Sequence, residues 1–303
     1  MTKRTSTEIM QAALNANTAV LAFNIPYLPM MGAVVEALRD TRTFGLITVA
    51  RLEWIKFESG SMEAIHQEYE KVKDERFTRL HLDHCPVIDE DDLRVEYLEE
   101  TSRAVALGYE SVMVDGSRLP LRENIDATRR VVDMAHASGI PVEAELGAVL
   151  GHEAGPLPPY EELFSSGRGF TDVEEAALFV RETGVDWLSV AVGNIHGAIS
   201  AAKKNKKKLA ARLDIDHLRR IRQATGVPLV LHGGTGIRRE YVLDAIASGI
   251  AKINVATAIR QPYERLRGES VEKARRAVYE AVCMLVQDEL NLAGNADVLN
   301  LGA

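Results

Sequence analysis

The sequence predicts a closed (β/α)8 barrel, and two observations support this prediction. Eight short segments are apolar and rich in β-branched residues, as strands buried on both faces of a parallel sheet are. Helical patterns lie between them, and a count of eight favours a closed barrel over an open doubly wound sheet. No GxGxxG motif of a dinucleotide-binding fold follows the first strand. The predicted strands are residues 20–24, 46–50, 80–84, 111–116, 142–146, 187–193, 228–233 and 252–257.

Three of the intervening segments have the ends and apolar faces of helices. Residues 89–107 open with four acidic residues, which suit the positive end of a helix dipole, and Gly108 follows the last turn. Residues 124–138 carry apolar side chains on one face and stop before Gly139. Residues 271–290 carry another apolar stripe. All three segments are therefore predicted to pack as helices against the strands.

We expect residues 1–303 to form a single barrel domain, because no linker or internal repeat divides them and barrels of this size are common. Two connections are long for a compact domain. Residues 147–169 contain several prolines and glycines and are predicted to form a mobile active-site loop. Residues 194–213 contain the lysine-rich run 203–208, which is predicted to be a solvated surface loop.

Composition and charge exclude several classes of protein. The net charge of −8 argues against a nucleic-acid partner, which needs surplus lysine and arginine. The longest apolar stretch, residues 18–35, is interrupted by Asn24 and two prolines, so no membrane partner is expected. Two cysteines, Cys85 and Cys283, cannot form a disulfide framework, and we expect a cytoplasmic location.

Polar side chains follow four of the predicted strands at their carboxyl ends, where barrel enzymes build their active sites. Imidazole and carboxylate groups in such a cluster suit zinc, with cobalt, iron or manganese as alternatives. His81, on the third strand, suits a role in supporting a metal ligand. The side chains that could converge on one metal ion are His84, Glu145, His196 and His232.

Glycines mark a candidate anion site on the same rim. Residues 233–236, Gly-Gly-Thr-Gly, join strand seven to a helix that starts near Arg238. Backbone N–H groups at a helix N-terminus bind anions, and the loops after strands seven and eight are the usual phosphate position in this fold. A tight turn without a ligand is the alternative interpretation of Gly233 and Gly234.

Several motifs together resemble one family of enzymes. LHLDHCP, SVMVDGS, VEAELG followed by GHE, GNIHG, LVLHGGTGI and KINVAT are similar, in order and spacing, to the class II, metal-dependent fructose/tagatose-bisphosphate aldolases, from about residue 22 to residue 258. The resemblance implies zinc-dependent retro-aldol cleavage of a phosphorylated ketose into an aldehyde and a donor like dihydroxyacetone phosphate. We further expect a homodimer or homotetramer.

The resemblance implies a metal role for four positions. His84, His196 and His232 match the family's zinc-binding histidines. Glu145 matches the carboxylate that binds or orients the zinc. The carbonyls near His196 and His232 are candidates for a monovalent cation. A divalent cation suits this chemistry because it polarises the carbonyl oxygen on which negative charge develops.

The resemblance also assigns two acid–base groups and a set of substrate contacts. Asp83 matches the acid that handles the proton on the aldehyde oxygen. Glu153 matches the acid/base that removes the proton from the donor carbon. Two separate carboxylates are expected, because the two proton transfers take place at different atoms. The positions that match phosphate and substrate contacts are Gly197, Gly233, Thr235, Asn254 and Thr257.

The sequence departs from the family pattern at three positions that commonly contact phosphate. Ala50, Ser200 and Ala256 stand where the family commonly has a serine, a lysine and an aspartate. We therefore expect a preference for a phosphorylated ketose other than fructose 1,6-bisphosphate. Arg51 and the lysine-rich run 203–208 are candidates for holding the donor phosphate instead.

Three alternatives remain at this point. Lys252 could form a Schiff base with a ketone, although family members with a lysine here do not use it so. A metal-dependent sugar-phosphate epimerase or isomerase could use the same rim, because the same enediolate could be reprotonated. A non-catalytic barrel could have kept the metal site, but the retained Asp83 and Glu153 argue against it.

Overall fold

The described residues form a closed barrel of eight parallel strands, which confirms the predicted fold. The computed structural model describes residues 3–147, 160–194, 211–234 and 236–299. Strands pair in chain order, and the last strand returns to pair with the first, with Ala22 opposite Asn254. The strands are β1 (Val20–Asn24), β2 (Gly45–Ala50), β3 (Thr78–Pro86), β4 (Ser111–Asp115), β5 (Val142–Leu146), β6 (Trp187–Val190), β7 (Leu229–Leu231) and β8 (Ile250–Val255).

The strands are buried over almost their whole length. Every residue of β1, β2, β5, β6, β7 and β8 is buried, which explains why their sequences are nearly continuously apolar rather than alternating. Fully burying a valine or leucine side chain stabilises the fold by about 1.5–3 kcal/mol. Glu143, Glu145 and Lys252 are charged residues within these buried strands. Such groups need partners, and they mark the region of the candidate site.

Helices connect the strands and form the outer layer. Thr5, Asp172 and Asp214 cap their helices by accepting backbone N–H groups of the first turn. The helices are α1 (Ser6–Asn15), α2 (Met30–Asp40), α3 (Arg51–Lys56), α4 (Met62–Val72), α5 (Tyr97–Leu107), α6 (Leu121–His136), α7 (Tyr160–Ser166), α8 (Val173–Thr183), α9 (Ile215–Thr225), α10 (Arg239–Ala247), α11 (Thr257–Leu266), α12 (Val271–Met284) and α13 (Asn295–Val298).

The structure corrects the start of the helix that the sequence predicts over residues 89–107. The helix α5 begins only at Tyr97. The Asp89 carboxylate accepts the backbone N–H groups of Asp91 and Leu93 and holds this stretch in a turn, so the acidic run does not form a first helical turn. Gly108 does end the helix, in the left-handed conformation with φ of +98°.

Other predicted ends also shift. The helix predicted over residues 271–290 is α-helical to Met284 and continues as a π-helix, Leu285–Glu289. The strand predicted over residues 187–193 ends at Val190. Beyond it, the backbone N–H of Val192 donates to the Asn194 side chain, and this local bond replaces a hydrogen bond to a neighbouring strand.

Only parts of the two connections predicted over residues 147–169 and 194–213 belong to the described residues. Residues 148–159 and 195–210 lie outside the described residues, and they include the lysine-rich run 203–208. In the described part of the loop predicted over residues 147–169, the chain forms the helix α7, Tyr160–Ser166. None of the helices in the described ranges combines the length and apolarity that crossing a membrane requires.

Asn295 ties the C-terminal segment to the amino ends of β1 and β2. Its buried amide accepts the Phe44 N–H at 2.7 Å and donates to the Ala19 carbonyl at 3.0 Å. We expect Asn295→Leu to lower the free energy of unfolding by about 2–6 kcal/mol, because two buried backbone groups each lose their partner at about 1–3 kcal/mol. Urea denaturation measures this, with Gln11→Ala, an exposed amide on α1, as the control. Equal stability of Asn295→Leu and the wild type would contradict the prediction.

Candidate active site

An irregularity in β3 places the first two candidate residues. Asp83 and His84 are adjacent, and a regular strand would send their side chains to opposite faces. The β3–β4 register shifts between Leu82 and Cys85, and His84 has a φ of +30°, which is uncommon for a residue with a side chain. Both side chains thereby reach the carboxyl rim of the barrel. Backbone strain of this kind is typical of functional sites.

Two of the predicted metal-binding histidines meet across the rim. His84 Nε2 lies 2.6 Å from His232 Nδ1, with the ring planes 81° apart. The other nitrogen of each ring faces a carboxylate. His84 Nδ1 is 3.1 Å from Asp115 Oδ2, and His232 Nε2 is 2.9 Å from Glu143 Oε1. Each carboxylate can accept a hydrogen bond from the ring nitrogen that faces it. The second nitrogen of each ring can then face a metal ion between the two histidines.

Glu145 lies beside the two histidines. One of its oxygens is 3.7 Å from His232 Nδ1 and 4.0 Å from His84 Nδ1, and Ser189 Oγ donates to the same oxygen at 3.3 Å. The structure thus brings together three of the four predicted metal ligands. The fourth, His196, lies outside the described residues.

The donor set fits a metal ion such as zinc. Ligand atoms of Asp83, His84 and His232 lie within 4.8 Å of one another, as do those of His84, Asp115 and Glu145. Imidazole nitrogens suit zinc and other divalent transition metals, whereas calcium and magnesium take oxygen ligands, so the two histidines favour a transition metal. These groups could therefore hold a metal ion.

The charges around the two histidines differ. Burial opposes a charged imidazole, but neighbouring carboxylates outweigh it, Asp83 first, and raise the pKa of His84 to about 10. Burial and the charge of His84 lower the pKa of His232. The surrounding carboxylates therefore favour a charged His84, whereas burial and the neighbouring charge favour a neutral His232.

Asp83 is held by two amides beside the histidines. Asn24 Nδ2 donates to Oδ2 at 2.8 Å, and Asn254 Nδ2 lies 2.9 and 3.0 Å from the two carboxylate oxygens. Burial raises the pKa of Asp83, but the opposite charges of His84 and Lys252 outweigh it and hold that pKa well below its usual range. Asp83 is therefore an oriented anion.

Glu143 and Glu145 lie two residues apart on β5 and differ in charge state. Burial raises the pKa of Glu145 to about 8, and the charge of Asp115 adds to the effect. Burial also raises the pKa of Glu143, but the ion pair with Lys252 outweighs it, and the pKa falls to about 2. A positive charge placed beside Glu145 would favour its ionised form.

The candidate phosphate positions lie where β7 and β8 end. Gly233 has a φ of +67°, and a Cβ on Gly234 would lie 2.9 Å from Ile253, so both positions require glycine. Thr257 opens α11 at the end of β8. Gly197, Thr235 and the predicted acid/base Glu153 lie outside the described residues.

Two other candidates have protein partners. Asn254, matched to a substrate contact, directs its amide nitrogen to Asp83. Arg51, a candidate for holding phosphate, is paired with Glu100 at 3.0 Å and Asp89 at 3.3 Å.

Sequence reasoning assigned no role to three carboxyl groups that surround the site. Asp115 ends the predicted strand four, and Glu143 shares the inward face of β5 with Glu145, so strand position and period were signals for both. Glu53 is buried on α3 and accepts the Ala50 N–H at 2.8 Å. Burial, with the nearby charge of Asp83, raises the pKa of Glu53 to about 8. No pattern in the sequence around Glu53 indicated its place.

Comparisons with known proteins identify the family of this chain. The protein-family model described as "Fructose-bisphosphate aldolase class-II" matches residues 4–297. A fructose-bisphosphate aldolase of Geobacillus stearothermophilus is 33% identical over 253 residues, which are 82% of this chain and 79% of that protein. One from Streptococcus pneumoniae is 34% identical over 255 residues, which are 82% of this chain and 77% of the relative.

Solved structures of two aldolases are similar to this chain over nearly its whole length. The YdjI aldolase from Escherichia coli K12 superposes with a TM-score of 0.75 at 27% identity, covering 97% of this chain and 100% of that one. A putative fructose-1,6-biphosphate aldolase from Coccidioides immitis gives 0.76 at 26% identity, covering 96% and 98%. A family match over nearly the whole chain, with relatives at 33% and 34% identity, means that this protein belongs to the class II fructose-bisphosphate aldolase family.

Proposed function

We propose that this protein is a zinc-dependent class II aldolase that cleaves a phosphorylated ketose into an aldehyde and a donor like dihydroxyacetone phosphate. One observation carries the proposal: His84, Glu145 and His232 meet at the rim beside an ionised, amide-held Asp83. The relatives' names as fructose-bisphosphate aldolases support the reaction class. Cobalt, iron or manganese could take the place of zinc, since they accept the same ligands.

The metal would be held by His84, His232, Glu145 and, from the family resemblance, His196. When bound, a divalent ion would polarise the substrate carbonyl oxygen and stabilise the charge that develops there. Asp115 and Glu143 keep the two imidazoles oriented from behind through their hydrogen bonds.

Asp83 would act on the hydroxyl of the carbon that becomes the aldehyde. In cleavage, its carboxylate accepts the hydroxyl proton as the carbon–carbon bond breaks and the electron pair moves to the donor fragment. Asn24 and Asn254 keep the carboxylate aimed and ionised. Glu153 would then protonate the donor carbon, and the reverse steps serve condensation.

The substrate's phosphate would lie over the ends of β7 and β8. Gly233, Thr235, Asn254, Thr257 and Gly197 are the proposed contacts, through backbone donors and short polar side chains. A monovalent cation near the carbonyls of His196 and His232, a homodimer or homotetramer, and a cytoplasmic location complete the proposal.

A screen of phosphorylated ketoses tests the reaction. The purified protein, stripped with EDTA and reloaded with zinc, is assayed for release of aldehyde and donor. We expect cleavage only by the reloaded protein. Isomerised or epimerised product without aldehyde would favour the carbonyl-isomerase alternative, and metal binding without any turnover would favour a non-catalytic barrel.

We expect fructose 1,6-bisphosphate to be a poor substrate compared with another phosphorylated ketose. Ala50, Ser200 and Ala256 lack the polar groups that the family commonly uses for phosphate. Such contacts to a charged group are each worth roughly 1.5–3 kcal/mol, so losing two lowers kcat/KM by about two decades or more. The measurement compares kcat/KM for fructose 1,6-bisphosphate, tagatose 1,6-bisphosphate and a panel of deoxy and monophosphorylated ketoses. Most efficient cleavage of fructose 1,6-bisphosphate would show that other residues compensate.

A further inference from the structure

A buried carboxylate behind His232 gathers three hydrogen-bond donors. Glu143 Oε2 accepts from Lys252 Nζ at 2.7 Å and from Trp187 Nε1 at 2.6 Å. Its other oxygen, Oε1, lies 2.9 Å from His232 Nε2. All four side chains are buried, so water does not exchange for these partners.

The two groups that contact Glu143 Oε2 determine whether that oxygen donates or accepts hydrogen bonds. A lysine ammonium and an indole N–H donate hydrogen bonds and accept none. Oε2 must therefore be an acceptor, and the charge of Lys252 keeps the whole carboxylate ionised. An ionised carboxylate is an acceptor at both oxygens, so Oε1 requires an N–H on the facing nitrogen of His232.

We propose that Glu143, held by Lys252 and Trp187, sets the tautomer of His232 and so makes its Nδ1 the metal-binding atom. With the proton on Nε2, the lone pair of a neutral His232 lies on Nδ1, the nitrogen that faces His84 Nε2. The three residues are positioning residues. The inference rests on the metal site of the proposed function.

The same lysine also lies near the proposed proton acceptor. Lys252 Nζ is 3.7 Å from Asp83 Oδ1 and 3.4 Å from His81 Nε2. His81 in turn contacts Ser111 Oγ at 2.8 Å. One buried hydrogen-bonded network therefore lies beneath both the metal-facing histidine and the catalytic carboxylate, which gives Lys252 a role that needs no covalent chemistry.

The variant Glu143→Gln tests the proposal because an amide has only one acceptor atom. Lys252 and Trp187 still demand an acceptor, so the amide oxygen turns to them and its N–H group faces His232 Nε2. That nitrogen must then accept, so the proton moves to Nδ1, and His84 Nε2, which faces Nδ1 at 2.6 Å, becomes its acceptor. We expect the tautomer of His232 to switch and zinc affinity to fall by about 10–100-fold, the usual effect of losing a residue that orients a ligand.

Two measurements report these changes. Long-range 1H–15N NMR spectra of histidine-labelled protein distinguish Nε2–H from Nδ1–H, and a spectrum of His232→Gln assigns the His232 signals. Competition with a chromophoric chelator gives the zinc affinity. A merely structural role for Glu143 would change stability but would leave the tautomer as it is.

Two control variants sharpen the test. Trp187→Phe removes one donor but leaves the carboxylate paired with Lys252, so the Nε2–H tautomer should persist. Asp186→Asn makes the same carboxylate-to-amide change beside another histidine, His136, at 2.8 Å and away from the rim. It should leave zinc affinity unchanged.

The outcomes are decisive even if Glu143→Gln does not fold. In that case the metal-free wild type is decisive by itself, because His232 must carry its proton on Nε2. An Nδ1–H tautomer in the wild type, or an Nε2–H tautomer retained in folded Glu143→Gln, would overturn the proposal. Neither measurement needs turnover, so a lack of aldolase activity would count against the proposed function and not against this inference.

Discussion

Asp83→Ala is expected to keep its bound metal and to lose about 10²–10⁴-fold in kcat. The reason is that a positioned general acid–base group typically contributes that much. In the structure, two amides aim the Asp83 carboxylate, and the charges of His84 and Lys252 keep it ionised. Steady-state kinetics of the zinc-loaded variant, with metal content determined on the same sample, measure the effect.

The control for this variant is a carboxylate outside the site. Asp297→Ala removes an exposed carboxylate that pairs only at the surface, with Arg42, and should leave kcat unchanged. An Asp83→Ala protein that is fully metal-loaded and turns over at the wild-type rate would contradict the role of Asp83. Urea denaturation of both variants shows whether a lower kcat comes from the missing carboxylate or from a lower free energy of unfolding.

His232→Ala is expected to lose the metal and, with it, all measurable cleavage. His232 Nδ1 lies 2.6 Å from His84 Nε2 in the proposed metal site. Removing the His232 ring also leaves Glu143 without one hydrogen-bond partner. We expect zinc affinity to fall by more than the roughly 10–100-fold that follows loss of an orienting residue. Elemental analysis and chelator competition measure it.

His136→Ala is the matched control for His232→Ala. His136 also pairs with a carboxylate, Asp186, but it lies half-exposed on α6. Its replacement should change neither metal content nor activity. Equal metal content in His232→Ala and the wild type would show that the metal is held elsewhere.

The fold and the identity of the rim residues follow from local patterns in the sequence. Eight apolar segments became eight strands, because a strand buried on both faces must be apolar along its length. Since parallel strands of a barrel all end at one rim, naming the residues at strand ends was sufficient to predict that His84, Glu145 and His232 meet. Gly108 was predictable as a helix end because only glycine adopts a left-handed cap without strain.

Local patterns failed where a side chain competes with regular structure. The acidic run at residues 89–92 suits a helix start, yet the Asp89 carboxylate binds backbone N–H groups of its own turn and delays the helix to Tyr97. The π-helix that follows Met284 has no such explanation in the contacts described.

The tertiary structure alone decided which charges pair at the centre of the barrel. Glu143 meets Lys252, 109 residues later, and His84 meets His232, 148 residues later. Sequence spacing carries no record of such contacts, because strand register and barrel closure set them. The sequence by itself therefore determined the fold, the family and the identity of the rim side chains. Only the folded barrel decided their partners and charge states, because a pKa depends on burial and on neighbours that lie far away along the chain.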